Sequence, residues 1–199
     1  KLIFCLLYFC CSLAEAKEVQ VDAQKEVDEM TGRLVASYLE AKVDEDIIAG
    51  YASALRSDGS FPDLDYVTVH EGSSYPAGSH LKRLKLMAIA YRKPGNKYYN
   101  SGRLLKQIVA GIDYWYRVRP KSGNWWFGDI GAPQDYMVPL ILLKGKISDK
   151  KLLHYSSYLQ DLTGNKGHKG KNRTWVSAIQ EELDKRNVKI EFDVASNPE

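Results

Sequence analysis

This sequence has few cysteines and prolines, no excess of glycine, and a small net charge. The 199 residues contain 3 Cys, 7 Pro and 15 Gly. These numbers exclude a disulfide-dense scaffold, a collagen-like repeat and a Pro/Gly-rich disordered chain. The formal net charge of +3 is too weak to indicate nucleic-acid binding. A chain of this length with 44% hydrophobic residues can bury one sizeable core.

Long apolar runs are also absent, apart from one stretch at the start of the chain. Residues 2–13 are almost wholly apolar and are followed by the small-x-small pattern at 14–16 that signal peptidase recognises. The run is too short to span a bilayer, so residues 1–16 are predicted to be a secretory signal peptide. A buried N-terminal helix and a lipoprotein anchor at Cys10 or Cys11 are weaker alternatives.

All the cysteines fall in this stretch, so the predicted mature chain, residues 17–199, has none. Disulfides and thiol chemistry are therefore excluded for the mature chain, whose fold has to depend on packing. We expect a secreted, extracellular protein that makes no membrane contact after cleavage. The sequence begins with Lys1 rather than Met and ends in a polar tail, so we also expect a fragment of a longer product.

Helical periodicity dominates the rest of the chain. Apolar residues three or four positions apart predict helices over 18–50, 79–92, 101–117, 133–145, 149–161 and about 174–186. The first helix is expected to stop at Gly50, and Ser79 is expected to cap the second. Turn-forming residues over 57–63 and an irregular stretch over 63–78 predict a surface loop. Only 188–194 alternates like a short strand. The pattern predicts an all-α fold of antiparallel helix hairpins.

Two adjacent tryptophans form the first candidate site. The run Asn124-Trp125-Trp126-Phe127 is expected in a loop between two helices. Adjacent indoles on a loop cannot both face a core, so at least one is expected to be exposed. An exposed indole can stack on the apolar face of a sugar ring, and Asn124 offers donor and acceptor groups to its hydroxyls. The alternative is one buried and one incidental tryptophan.

The second candidate is the loop 165–173, which carries four Lys or Arg residues, one His and no acid. Such a loop attracts carboxylate, sulfate or phosphate, or is only a solvated basic loop. It lacks the strand and the Gly-Lys-Ser/Thr ending of a P-loop. Asn172-Arg173-Thr174 is also an N-glycosylation sequon, and a glycan on Asn172 would exclude a working role for its side chain.

Acidic residues and histidines give weaker signals. Two carboxylates could form a glycosidase pair, although carboxylates near turns more often act as caps; the candidates are Asp58, Asp63, Asp65 and Asp129. The four histidines show no metal-ligand spacing. Neither a metal nor another cofactor is expected.

Several motifs then occur in one collinear order between residues 50 and 175. They are Leu55-Arg56-Ser57-Asp58-Gly59-Ser60-Phe61, His80-Leu81, Tyr98-Tyr99, Tyr114-Trp115-Tyr116, Pro120-Lys121-Ser122-Gly123-Asn124-Trp125-Trp126, Ile130-Gly131-Ala132-Pro133-Gln134 and Gly170-Lys171-Asn172-Arg173-Thr174. In these motifs the sequence resembles polysaccharide lyase family 8, the group of chondroitin AC, hyaluronate and xanthan lyases.

The resemblance implies an incomplete α/α toroid and a β-elimination on an acidic polysaccharide. Asn172 matches the family's amide that binds the uronate carboxylate, although Lys171 stands where the family often has Ala. Asn124, Trp125 and Trp126 match cleft residues that align the sugar chain. The family's proton-transferring His and Tyr lie beyond the Asn and have no counterpart here. The chain alone is therefore expected to be inactive.

Three functional hypotheses remain open. The first is part of a secreted lyase acting on a hyaluronan- or chondroitin-type polymer. The others are a non-catalytic carbohydrate-binding module and a helical glycoside hydrolase. We expect the partner to be an acidic polysaccharide rather than nucleic acid, and the protein to be a monomer.

Overall fold

The computed structural model describes residues 31–162, together with Lys25 and Glu29. The chain divides into two compact units, Lys1–Ser37 and Tyr38–Glu199. The predicted signal peptide, the sixth helix, the strand and the basic loop with Asn172 all lie outside the described residues.

The described residues are helical, with no strand among them. Residues 31–39 form α1. The helices that follow in the second unit are α2 (Glu45–Ala54), α3 (Gly78–Arg92), α4 (Gly102–Val118), α5 (Ala132–Leu142) and α6 (Asp149–Leu162). A π-helical turn, Phe127–Gly131, leads directly into α5. None of these helices is long and apolar enough to cross a membrane.

The prediction of one helix over 18–50 is wrong, because a new helix starts inside that range. The Oδ1 atom of Asp44 accepts hydrogen bonds from the backbone N–H groups of Asp46 and Ile47, both at 3.1 Å. An aspartate in this position satisfies amides that would otherwise have no partner, so it starts α2. Gly50 lies within α2 and does not stop it.

The cap predicted at Ser79 is also wrong. α3 begins one residue earlier, at Gly78, and no side chain caps it. The next helix, predicted over 101–117, is confirmed as α4, and the Ser101 Oγ caps it by accepting from the Leu104 N–H. α3 ends at Arg92, the end predicted from the sequence, and Pro94 just beyond it has no N–H to continue the helical hydrogen bonds.

The core of the second unit is built around α3, which packs against α2, α4 and α5. The apolar spacing predicts that Leu81, Leu84, Ala88 and Tyr91 face inward from α3, and all four are buried. For α4 it predicts an inward face of Leu104, Leu105, Ile108, Ile112, Trp115 and Tyr116; all are buried except Leu105 and Tyr116, which are half-buried. Gly111 allows α4 to lie close to the Leu84 side chain of α3, because a Cβ there would lie 2.5 Å from a Leu84 methyl carbon.

The consecutive helices α2, α3 and α4 run antiparallel to one another, as predicted. Near the link between α3 and α4, the Asn100 N–H donates to the Tyr91 carbonyl at 2.9 Å. At the opposite end, the Tyr75 hydroxyl before α3 donates to the Pro120 carbonyl after α4 at 2.9 Å. The chain leaving α2 reaches this same end, where the Phe61 ring lies 5.3 Å from the His80 ring. The segments 55–77 and 119–126 thus share one end of the unit, called here the loop end.

Candidate functional site

The tryptophan pair begins a helix rather than lying in a loop, so this prediction is wrong. Residues 125 and 126 are helical and continue through the π-helical turn into α5. The Asn124 Oδ1 accepts from the Trp126 N–H at 2.9 Å. An asparagine that satisfies a free amide in this way starts a helix, and the motif therefore contains its own cap.

The two indoles have different environments. Trp125 is 53% exposed, which confirms the expectation that at least one indole faces solvent. Trp126 is half-buried, with its ring against Gly131, where a Cβ would lie 2.6 Å from Cζ3. A π-helical turn bonds residue i to i+5, and this spacing brings residue 131 beneath residue 126. A side chain larger than hydrogen at 131 would occupy the space of the indole.

The loop 63–78 supports this site, a role that the sequence analysis missed. The Asn124 Nδ2 donates to the Gly72 carbonyl at 2.7 Å, and the Gly123 N–H donates to the His70 carbonyl at 3.0 Å. The Tyr75 ring lies 5.4 Å from the Phe127 ring and carries the hydroxyl that reaches the Pro120 carbonyl. Burial raises the pKa of Tyr75, so its hydroxyl stays protonated as a donor. The only local signal for this role was the aromatic side chain at 75.

A buried histidine, His80, holds the same loop through a hydrogen bond. The Tyr66 hydroxyl lies 2.9 Å from His80 Nδ1, and it accepts from the Phe61 N–H at 2.9 Å. His80 Nε2 lies 2.9 Å from the Gly111 carbonyl, which can only accept, so Nε2 carries the hydrogen. Burial lowers the pKa of His80 to about 4, and the ring is therefore neutral at pH 7. His80 is a structural hydrogen-bonding residue, fully removed from solvent.

Two of the candidate aspartates, Asp58 and Asp65, accept hydrogen bonds from residues of their own turns. The Asp58 Oδ1 accepts from the Ser60 N–H at 2.9 Å and from its hydroxyl at 2.7 Å. The Asp65 Oδ1 accepts from the N–H groups of Val67 and Thr68. Hydrogen bonds from Ser60 hold the pKa of Asp58 below its usual range, and those from Thr68 and Val67 do the same for Asp65.

The third carboxylate of the candidate glycosidase set is in an ion pair. Asp63 binds the Arg83 guanidinium, with Nη1 and Oδ1 at 2.8 Å, and this contact lowers the pKa of Asp63. A general acid in glycoside hydrolysis needs a raised pKa, and these three aspartates have the opposite shift. Asp129, the fourth candidate, belongs to the π-helical turn. Among the residues described, no three His, Cys, Asp or Glu side chains are grouped so as to hold a metal ion.

The structure thus brings Asn124, Trp125 and Trp126 together at the loop end, with Gly72, Tyr75 and Gly131 as supports. Their roles toward a ligand stay predictions, as does the role of Asn172, which lies outside the described residues.

Three curated proteins are similar in sequence to this chain. Chondroitinase-AC from Pedobacter heparinus is 34% identical over 104 residues, which cover 51% of this chain and 15% of that protein. Hyaluronate lyase HylB from Enterococcus faecalis is 30% identical over 112 residues, covering 50% and 11%. Xanthan lyase from a Bacillus species is 27% identical over 120 residues, covering 57% and 13%. The aligned part is therefore only a small fraction of each relative's length.

Two solved structures share the fold. A chondroitinase AC lyase superimposes with a TM-score of 0.71 at 24% identity, covering 81% of this chain and 24% of that one. A Paenibacillus xanthan lyase gives a TM-score of 0.64 at 19% identity, covering 82% and 18%. The all-α class and the α/α-toroid fold predicted from the sequence are confirmed by these likenesses.

The family comparison extends over most of the chain. Residues 24–185 match the family described as polysaccharide lyase family 8, N-terminal alpha-helical domain. The match includes the capped tryptophan pair, the loop that supports it and the helices that position both. The chain belongs to polysaccharide lyase family 8, within the N-terminal α-helical domain.

Proposed function

We propose that this chain is the sugar-aligning part of a secreted lyase that cleaves uronic-acid-containing polysaccharide by β-elimination. Membership in polysaccharide lyase family 8 supports the reaction class. The names of the relatives, chondroitinase-AC, hyaluronate lyase and xanthan lyase, support an acidic polysaccharide as the substrate. The observation that carries the proposal is Trp125, a large aromatic side chain that is 53% exposed on a rigid helix start.

In this proposal the tryptophan pair forms the stacking surface for the sugar chain. A rigid indole loses little conformational entropy when it binds, so an exposed one makes an efficient platform. The Asn124 amide uses one donor hydrogen for Gly72 and one acceptor position for Trp126. An amide has two donor hydrogens and two acceptor positions, so Asn124 keeps one of each for sugar hydroxyls.

The chemical step is assigned to Asn172. Its amide would bind the uronate carboxylate and stabilise the negative charge that develops when the C5 proton leaves. A base takes that proton, and an acid protonates the leaving glycosidic oxygen, so an unsaturated uronide remains. The groups for these two proton transfers have no counterpart that we recognise in this sequence, and the chain by itself is expected to turn over no substrate.

Secretion and a monomeric state are part of the same proposal. The apolar run at 2–13, with its cleavage pattern at 14–16, supports export. A polymeric substrate that cannot enter a cell requires an enzyme outside it.

Two alternative functions are compared with the proposed lyase. A non-catalytic binding module would use the same tryptophan surface and release no product. A helical glycoside hydrolase would need a carboxylic acid of raised pKa, and the aspartates at 58, 63 and 65 have lowered pKa values. The lyase is therefore the function that we favour.

One measurement separates the three functions. The intact protein is supplied with hyaluronan or chondroitin, and the ultraviolet absorbance of the products is recorded. Elimination raises the absorbance because the product is unsaturated. Hydrolysis raises only the number of reducing ends, and a binding module changes neither quantity. Asn172→Ala should lower kcat by about 10²–10³-fold with a smaller change in KM, as for the loss of one oxyanion-type donor.

Asn165→Ala is the matched control, because it removes an amide from the same predicted loop and should leave kcat unchanged. Mass spectrometry of the active protein tests the competing role of the sequon. A glycan on Asn172 in an active enzyme would overturn its catalytic assignment, and the absence of any unsaturated product would overturn the lyase.

A further inference from the structure

Two exposed arginines lie beside the loop end, and one of them contacts a tyrosine ring. Arg56 follows the last residues of α2, and Arg117 lies in the last turn of α4. The half-buried Tyr114 ring lies 5.5 Å from the Arg117 guanidinium carbon. The pKa of Asp58 is lowered first by its Ser60 hydrogen bonds and then by the charges of Arg56 and Arg117, so both arginines lie within electrostatic reach of one carboxylate. We call this the Arg56–Tyr114–Arg117 surface.

Both guanidinium groups are available to an external anion. Within the described part of the chain, neither forms a salt bridge. The Asp58 Oδ1 between them is occupied by the backbone and hydroxyl of Ser60. Arg83 shows the contrast, since two of its nitrogens bind Asp63 and its guanidinium carbon lies 4.7 Å from the Phe61 ring centre. The guanidinium N–H donors of Arg56 and Arg117 are therefore available to a ligand, whereas Arg83 donates from two of its nitrogens to Asp63.

The chemistry of this surface fits one class of ligand. A planar guanidinium binds a carboxylate or a sulfate through two parallel hydrogen bonds. A partly exposed tyrosine ring beside such a group offers an apolar face to a sugar. Acidic polysaccharides repeat both features along their length, a charged group followed by an apolar ring face.

The position of the surface decides which molecule would reach it. Arg56 and Arg117 lie where α2 and α4 approach the loop end, and the Trp125 side chain is exposed at that same end. A short oligosaccharide bound at Trp125 has no need of the arginines, whereas a long polymer can contact both. We propose that the Arg56–Tyr114–Arg117 surface is a second contact for the acidic polysaccharide, which binds sugars farther along the chain held by the tryptophan pair. This inference rests on the proposed function.

The test compares short and long ligands by calorimetric titration. The intact protein carries Asn172→Ala, so that polymer is not consumed, and the ligands are a hyaluronan tetrasaccharide, long hyaluronan and long chondroitin sulfate. The double variant Arg56→Gln/Arg117→Gln should weaken binding of the long polymers by about 5- to 20-fold, the combined effect of two exposed charged contacts. Tetrasaccharide binding should not change. The difference should shrink as salt is added, because exposed charges are screened.

The matched control is Arg103→Gln/Lys106→Gln, which removes the same charge from exposed positions near the start of α4, at the opposite end. Its polymer affinity should stay within about twofold of the parent. The inference is overturned if the Arg56/Arg117 variant binds polymer like the parent, if it loses tetrasaccharide affinity equally, or if the control loses as much. The proposed function is tested separately, with Trp125→Ala and with the parent itself. If the parent binds no polymer, the proposed function fails, and the proposal for this surface fails with it.

Discussion

Single glycines decide where the aromatic side chains of the site can lie. Gly131 has an ordinary right-handed helical backbone, with φ −64° and ψ −51°. Its lack of a side chain is therefore required only by the Trp126 ring that lies against it. The Ile-Gly-Ala-Pro run at 130–133 thus has a steric reason, because the indole occupies the space that a Cβ would fill.

Gly131→Ala and Gly128→Ala are expected to change stability in opposite directions. A Cβ at 131 would lie 2.6 Å from Trp126 Cζ3, so the substitution should lower the free energy of unfolding by about 1–3 kcal/mol and shift the tryptophan emission. A Cβ at 128 meets nothing within 4 Å, and alanine should there raise stability by about 0.5–1 kcal/mol. Urea unfolding followed by fluorescence measures both. If Gly131→Ala stabilises the protein as Gly128→Ala does, the indole does not lie on residue 131.

At the scale of elements, the turn at 56–60 is fixed by its contact with a helix. The Gly59 N–H donates to the Arg56 carbonyl at 3.0 Å, and the Arg56 N–H donates to the Ser60 carbonyl at 2.9 Å. Gly59 has φ +89°, and a Cβ there would lie 2.0 Å from the Ala110 carbonyl oxygen in α4. The Asp-Gly-Ser motif is therefore a docking turn, in which glycine satisfies both the backbone angle and the close approach.

Gly59→Ala should destabilise the protein far more than Gly95→Ala. Both glycines have positive φ, +89° and +82°, so both substitutions carry the left-handed backbone cost of about 1–2 kcal/mol. Only at 59 does the new methyl also strike the backbone of another helix, and we expect a total loss above about 3 kcal/mol. Circular dichroism during urea unfolding gives the two values. Equal losses would mean that the turn can move away from α4 at little cost.

At the scale of the whole molecule, His80 ties three parts of the second unit together. Its ring hydrogen-bonds to Tyr66 in the loop 63–78 and to Gly111 in α4, and the residue itself belongs to α3. The same loop holds Asn124 and Gly123 in place. Stability at the centre of the unit is thereby linked to the geometry of the candidate site at its end.

This link predicts a loss of stability in mild acid. The pKa of His80 falls from 6.5 to about 4 on folding, because burial penalises the charged ring. As pH drops from about 6.5 to 4, the unfolded chain binds a proton that the folded chain does not, so the free energy of unfolding should fall by about 3 kcal/mol. Above pH 7 the contribution is constant. The lowered pKa values of Asp58 and Asp63 cost stability only below about pH 4.

Urea unfolding at several pH values between 7 and 4.5 measures the slope. His80→Gln keeps a donor for the Gly111 carbonyl without a group that titrates in this range, so it should be less stable at pH 7 but show a much flatter profile. An unchanged slope in this variant would assign the acid sensitivity to another group.

The sequence by itself determined the helical class and the family, and it indicated Asn124 and the tryptophan pair as candidate site residues. These depend on local information: apolar spacing shows which face is buried, Ser101 caps α4 through a neighbour three residues away, and Pro94-Gly95 cannot continue a helix. The start of α2 could also have been predicted from the sequence, because Asp44 caps this helix through residues 46 and 47. A long run of apolar spacing concealed this local signal.

Only the tertiary structure decided how the site is held and which indole is exposed. The Asn124 amide reaches Gly72, His80 bonds to Gly111, and Gly59 meets Ala110, and each partner lies far away in sequence. No local pattern encodes such contacts, because they depend on the antiparallel packing of α3 and α4 and on the π-helical turn that places Gly131 under Trp126. The sequence motif identified the aromatic and amide groups of the candidate site, whereas packing determined which indole is exposed to solvent and which is half-buried against Gly131.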